Sequence, residues 1–253
     1  MKQFTKDTLL VKAMETRAEM GKVAAEDIRA KILSLLETKK EINMIFAAAP
    51  SQNDVLASLI SYSDIPWNRI HAFHMDEYIG LDERFVKQSF GTFLTDHIFG
   101  KVPFASVHLI NSTATDPEAE CERYSQLLRE NPTDIVVMGI GENGHIAFND
   151  PWIADFNDPK MVKVVPLDEV CRQQQVNDGC FPSIDCVPKQ AISLTCPTLT
   201  AGSHLFCIVP AKTKANAVKH TLEDAISEDC PATALRRHPS AVLYLDADSS
   251  SLL

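Results

Sequence analysis

Asp134-Ile135-Val136-Val137-Met138-Gly139-Ile140-Gly141-Glu142-Asn143-Gly144-His145 is the stretch that decides the fold. Its first half is a continuous apolar, β-branched run with no polar alternation, the pattern of a strand covered on both faces in a parallel sheet. Its second half is punctuated by Gly139, Gly141 and Gly144, which let a backbone turn tightly and approach a ligand closely. In open α/β sheets, ligands bind just beyond the carboxyl ends of such strands. His145 therefore falls where an imidazole can move protons near neutral pH. The plainer alternative is a histidine that only hydrogen-bonds the turn, because a Gly-x-Gly-x-x-Gly spacing is weak without its context.

Outward from this strand, apolar runs and helical periodicities alternate. Leu10, Met14, Ala18, Val23, Ile28, Ile32 and Leu36 recur near helical spacing and predict one long helix over 11–36. Strands are predicted at 42–49, 70–73, 135–140, 203–209 and 241–245, with helices at 54–61, 90–98, 116–128 and 214–222. Such repetition implies an α/β, single-domain, Rossmann-like three-layer sandwich over 1–253, with a mostly parallel sheet and helices on both faces. A chain of 253 residues, 45% of them hydrophobic, is long enough to bury that core. Between Pro151 and Pro188 the periodicity weakens and prolines accumulate, so part of 151–188 reads as a lid. Trp152, Phe156 and Phe181 either close over a ligand there or pack as a satellite core.

Two further strand ends carry polar side chains. Asp76 and Glu77 follow the run Ile70-His71-Ala72-Phe73 and are flanked by Met75, Tyr78 and Ile79, so at least one of them is a candidate for chemistry. Adjacent side chains on extended backbone point to opposite faces, so both enter one pocket only if the chain turns. After the 42–49 strand comes Pro50-Ser51-Gln52-Asn53-Asp54 and then a helix. A helix N-terminus offers free N–H groups and a positive dipole end to an anion, with Ser51 and Gln52 as added donors. Asp54 is unhelpful to that reading, and an ordinary capped helix is the alternative.

HMDEYIGL at 74–81 and GIGENGHIAFNDP at 139–151 resemble, in sequence, order and spacing, the two signature motifs of the glucosamine-6-phosphate deaminase/isomerase family. The similarity extends through VHLIN at 107–111, DPEAECERY at 116–124, VPKQA at 187–191 and KTKA at 212–215, so it covers roughly 10–245. The 6-phosphogluconolactonases share the fold, but GHTASLFP and DER are expected of them where this chain reads GHIAFN and DEY. The resemblance implies a cofactor-free, metal-free isomerisation of an aldose phosphate to a ketose phosphate with loss of ammonia. It assigns ring opening to His145, C2-to-C1 proton transfer to Asp76 and support of the histidine to Asp150. Asn143 stands where the family usually has aspartate, and Asp150 is one methylene shorter than the family's glutamate. Ser51, Gln52, Gly144 and Lys214 are the candidate substrate and phosphate contacts. Gap-free counting puts the family's phosphate-binding arginine on Asp178, which makes Arg172 its substitute. A lactonase-like hydrolase and a non-catalytic sugar-phosphate sensor remain open alternatives.

Composition narrows the partners. A net charge of −10 argues against nucleic acid and anionic membranes, whereas a small sugar phosphate needs only a local cationic pocket. Seven cysteines scattered from Cys121 to Cys230, with no Cys-x-x-Cys pair, make neither a disulfide framework nor a structural zinc site. A reducing cytoplasm is the expected compartment, since neither a signal-like N-terminus nor a membrane-length apolar run occurs. The family resemblance makes a homo-oligomer plausible.

Overall fold

The chain opens with strands β1 (Lys2–Lys6) and β2 (Leu9–Ala13), helix α1 (Arg17–Leu36), strand β3 (Ile42–Phe46) and helix α2 (Asn53–Ile60). Strands β4 (Ile70–His74) and β5 (Asp76–Ile79), helix α3 (Phe90–Leu94), strand β6 (Ser106–His108) and helix α4 (Pro117–Glu130) follow. Strands β7 (Ile135–Met138) and β8 (Val162–Pro166), helix α5 (Glu169–Asn177) and strand β9 (Gln190–Leu194) come next. Helix α6 (Cys196–Thr200), strand β10 (His204–Val209), helix α7 (Ala215–Glu223) and strand β11 (Ala241–Leu245) complete the order. The computed structural model describes residues 1–177 and 179–253, so Asp178 lies outside the described residues.

Eight strands form one sheet in the order β1-β2-β11-β10-β7-β3-β4-β6, parallel throughout except for the β1–β2 hairpin. The apolar runs are explained by two covered faces. Ile135 and Val137 of β7 pack with Met20, Ile28 and Leu59 from α1 and α2. Val136 and Met138 pack on the other side with Tyr124, Leu128 and Val218 from α4 and α7. Three layers result, as the sequence predicts. From β3 the chain winds outward through β4 to β6, and from β7 it winds the opposite way through β10 to β11. The switch point of the sheet therefore lies between β3 and β7, where a ligand crevice is expected.

The predicted helix over 11–36 is shortened at its start. Residues 9–13 form β2 instead, pairing with β1 and β11, because Leu9 and Val11 alternate with half-exposed neighbours and bury fully against the sheet. Helix α1 begins at Arg17, capped by Thr16, whose hydroxyl accepts the Glu19 N–H at 3.1 Å. The predicted helix at 90–98 is α3 followed by one π-helical turn, Thr95–Phe99.

A second sheet, antiparallel and ordered β5-β9-β8, has no counterpart among the predicted strands. It absorbs part of the 151–188 segment, which also contains α5. Phe181 is a core residue packed 5.7 Å from the Tyr78 ring, while Trp152 is exposed and its Nε1 donates to Asp168. Phe156 is half-buried beneath the Arg237 guanidinium. None of these three aromatics lines the crevice at the switch point. Among the described residues no helix is long and apolar enough to cross a membrane.

Candidate active site

The crevice opens at the carboxyl ends of β3, β4, β7 and β10, and its lining includes Ser51, Gln52, Asp76, His145 and Lys214. Four sequence-distant strand ends thus meet in one place. The remaining predicted residues divide: Asn143 and Asp150 sit behind His145, while Gly144 and Arg172 are outside the lining.

The turn after β7 is closed by its own backbone. The Gly141 N–H donates to the His145 carbonyl at 2.9 Å, and the Gly144 N–H donates to the Gly141 carbonyl at 3.1 Å. A Cβ on Gly141 would fall 2.1 Å from His145 Cε1, so the imidazole lies directly against this glycine. Gly144 has φ +85° and its carbonyl accepts the Ala232 N–H at 2.9 Å, which makes it a turn residue, not the substrate contact expected of it.

His145 is held by a side-chain relay. Its Nδ1 lies 2.8 Å from Asn143 Oδ1 and 3.1 Å from Asp150 Oδ1, and Asn143 Nδ2 donates to Asp150 Oδ1 at 2.8 Å. Because a carboxylate only accepts, the Asn143 amide presents nitrogen to Asp150 and oxygen to the imidazole N–H. Nδ1 is thereby committed as a donor and Nε2 is left for chemistry. Asp150 reaches the histidine despite its short side chain. Burial raises its carboxyl, but the bonds from His145 and Asn143 outweigh burial and hold it below the ordinary carboxylate range. Its second oxygen, Oδ2, is buried with no hydrogen-bond partner among the described residues.

Asp76 and Glu77 part company as extended backbone requires. Asp76 lines the crevice. Burial, and then the neighbouring Glu77 charge, push its carboxyl well above the usual range. Glu77 turns the other way and accepts the N–H groups of Tyr78, Phe90 and Gly91 at 2.9, 3.1 and 2.9 Å, anchoring the start of α3. Burial pushes Glu77 up to about 7 against those three bonds. His74 is likewise structural: its Nε2 accepts the Ile110 N–H at 2.7 Å, and burial pushes it down to about 3, so the ring is neutral.

Strand β9 braces both sides of the crevice. Ser193 stands opposite Asp76 in the small sheet, and its hydroxyl accepts the Phe148 N–H at 3.0 Å. Leu194 donates its N–H to the Met75 carbonyl at 2.9 Å, and its own carbonyl accepts Asn149 Nδ2 at 2.9 Å. The turn bearing His145 and the strand bearing Asp76 are therefore tied to the same two residues.

The anion side is built differently. After β3 a single 3₁₀ turn, Pro50–Gln52, leads into α2. Gln52 is fully buried, with Nε2 donating to the Ile208 carbonyl at 3.2 Å and to Ser51 Oγ at 3.0 Å. Lys214 ends the turn Lys212–Lys214 before α7, behind Ala211 at φ +81°, whose N–H is held by Asp246. Among the described residues the cations of the lining are Lys214 and Arg17. Arg17 Nε donates to Asp54 Oδ2 at 2.5 Å and its Nη2 donates to the Pro50 carbonyl, so it clamps the turn it borders. Sequence reading missed Arg17. The signal was a cation in the first turn of a helix, where the dipole disfavours it, and the misplaced start of α1 concealed it. Asp54, unhelpful to an anion alone, is neutralised by this pair.

Arg172 points elsewhere. Its guanidinium donates to the carbonyls of Ile184 at 2.6 Å and Val187 at 3.1 Å, joining α5 to the segment before β9. Its neighbours Gln174 and Gln175 line the crevice instead, and Gln174 Oε1 accepts the Glu142 N–H at 3.1 Å. Whether a side chain three positions along a helix faces the crevice depends on the docking of α5, which spacing alone does not fix.

Comparison with known proteins places the chain in a family. Residues 15–244 match the family model described as glucosamine-6-phosphate isomerases/6-phosphogluconolactonase. A glucosamine-6-phosphate deaminase of Streptococcus sanguinis is 33% identical over 240 residues, spanning 95% of this chain and 97% of that protein. One from Bacillus thuringiensis is 33% identical over 244 residues, spanning 96% and 88%. A solved structure of a monomeric glucosamine-6-phosphate deaminase superposes with a TM-score of 0.86 at 32% identity, covering 96% of this chain and 99% of that one. A 6-phosphogluconolactonase from Thermotoga maritima superposes with a TM-score of 0.74 at 25% identity, covering 94% and 99%.

Proposed function

The chain belongs to the glucosamine-6-phosphate isomerase/6-phosphogluconolactonase family, and from that premise we propose that it is a glucosamine-6-phosphate deaminase, converting glucosamine 6-phosphate and water to fructose 6-phosphate and ammonia. The observation that carries this reading is the convergence of Asp76 and His145 on one crevice, with His145 held through Nδ1 by Asn143 and Asp150.

Ring opening moves the C1 hydroxyl proton away and delivers a proton to the ring oxygen, and His145 Nε2 is the group assigned to that exchange. Asp76 then takes the C2 proton and returns it to C1, leaving a C2 imine that water hydrolyses to the ketone and ammonia. A carbon acid this weak needs a desolvated, basic carboxylate, and burial supplies that basicity. Burial and the neighbouring Glu77 charge both favour the neutral form of this carboxyl. The ammonium on C2 of the substrate brings the counter-charge that restores the carboxylate where it is needed.

Ser51, Gln52, Lys214 and Arg17 are assigned to the phosphate, with Lys214 and Arg17 supplying two charges against a dianion. Helix α5 is the cover of the site, through Gln174 and Gln175. Seven free cysteines are in keeping with a reducing cytoplasm, where we place the protein.

The deciding experiment measures ammonia release from glucosamine 6-phosphate beside hydrolysis of 6-phosphogluconolactone. The expected result is turnover of the amino sugar, with Asp76→Asn lowering kcat by at least about 10³-fold while binding persists. Lactone hydrolysis that survives Asp76→Asn, without ammonia release, would make the chain a hydrolase. Tight binding with no turnover of either would make it a sensor.

A further inference from the structure

We propose that the buried layer behind His145 holds an inhibitory site for a borderline-soft divalent cation such as Zn²⁺, formed by His145, Asp150 and Cys171. A ring nitrogen of His145, a carboxylate oxygen of Asp150 and Cys171 Sγ all lie within 4.8 Å of one another, and all three residues are buried. Zinc bonds of about 2.0–2.3 Å place tetrahedral ligands roughly 3.3–3.8 Å apart, so an inward shift of about 1 Å closes the cluster on the ion. The donors are one nitrogen, one oxygen and one sulfur, the set that suits zinc and not magnesium or calcium.

Asp150 supplies an independent sign, a buried acceptor without a partner. It is fully buried, Oδ1 is spent on Asn143 and His145, and Oδ2 has no hydrogen-bond partner among the described residues. An unpaired buried carboxylate oxygen is costly, and a cation satisfies it. Binding replaces the Cys171 thiol proton, which leaves to solvent. The ion with one thiolate, one carboxylate and one neutral imidazole then has no net charge, as burial favours. Three protein ligands leave a fourth coordination position for a further donor. Loading the site withdraws His145 from proton transfer and Asp150 from holding it, so the metal inhibits. Cys171 reaches the cluster from α5, twenty-one positions beyond Asp150, which is why no spacing motif announces it.

Cobalt titration of the chelator-treated full chain tests this. Co²⁺ is expected to bind once per chain with a thiolate-to-metal charge-transfer band, and one equivalent of Zn²⁺ is expected to abolish the band. Cys171→Ser should remove the band and weaken Zn²⁺ binding beyond the roughly 10–100-fold that loss of an outer partner costs. That variant should keep metal-free turnover and escape zinc inhibition, whereas Cys180→Ser and Cys186→Ser should behave as wild type. X-ray absorption of the wild-type zinc complex needs no variant: one sulfur near about 2.3 Å with the remaining ligands nitrogen or oxygen is expected. No stoichiometric binding, two or more sulfurs at the metal, or unchanged zinc affinity in Cys171→Ser would overturn the assignment. The metal readouts are independent of turnover, so they stand or fall apart from the deaminase reading.

Discussion

The turns after β7 and β3 both feed the crevice, and they are made by opposite means. The β7 turn is glycine-punctuated and internally bonded: Gly141 lies under the imidazole, and Asn143 and Asp150 fix its Nδ1. The β3 turn contains no glycine, is a single 3₁₀ turn opened by Pro50, and is clamped from outside by Arg17. A group that moves protons is sensitive to errors of about 1 Å. A phosphate is a diffuse dianion that several donors share, so side chains replace the backbone cradle that a glycine loop provides. Damage to the first turn should therefore appear in kcat, and damage to the second in KM.

Gly141→Ala attacks this contrast hardest. The added methyl cannot coexist with the imidazole in place, so kcat is expected to fall by about 10²-fold or more with KM little changed. Steady-state kinetics with a thermal melt checks it; a variant with wild-type kcat would show that His145 need not lie against position 141. Asn143→Leu keeps the volume and removes both relay bonds, leaving His145 and Asp150 to meet directly. A loss of roughly 10-fold or more in kcat is expected, consistent with loosened orientation of a general acid. An unchanged kcat would mean that Asp150 alone positions the ring.

Arg17→Ala carries the smallest expected effect and sharpens the other side. It removes one of two lining cations and frees Asp54, so KM should rise about 10-fold with kcat nearly constant. Raising ionic strength should narrow the gap between variant and wild type, because the contribution is electrostatic and partly exposed. A fall in kcat without a rise in KM would place Arg17 in the chemistry instead of the anchor.

Strand ends were legible in the sequence wherever burial on both faces leaves an uninterrupted apolar run. The β3, β7, β10 and β11 runs declare themselves in this way, and with them the addresses of Ser51, His145 and Lys214. Short elements with one covered face did not. In β2 only Leu9 and Val11 alternate inward, and five residues of alternation lose to a helical spacing that continues for twenty more. Strands β8 and β9 are short and flanked by prolines, so their segment reads as loop, although each pairs along five residues. Side-chain destinations were the least legible. Arg172 is expected at the phosphate only as the substitute for the family's arginine, but the docking of α5 turns it to two backbone carbonyls and gives the crevice to Gln174 and Gln175.

Strand β9 carries a consequence of its own. Ser193 and Leu194 grip the Asp76-bearing strand on one edge and the imidazole-bearing turn on the other, so a single rung fixes the gap across which the proposed substrate would fit. That rung acts as a gauge block. A substrate one carbon longer between its reacting centre and its phosphate would be accommodated by moving the anchor, never the gauge, and redesign of substrate length belongs on the β3 side of the crevice.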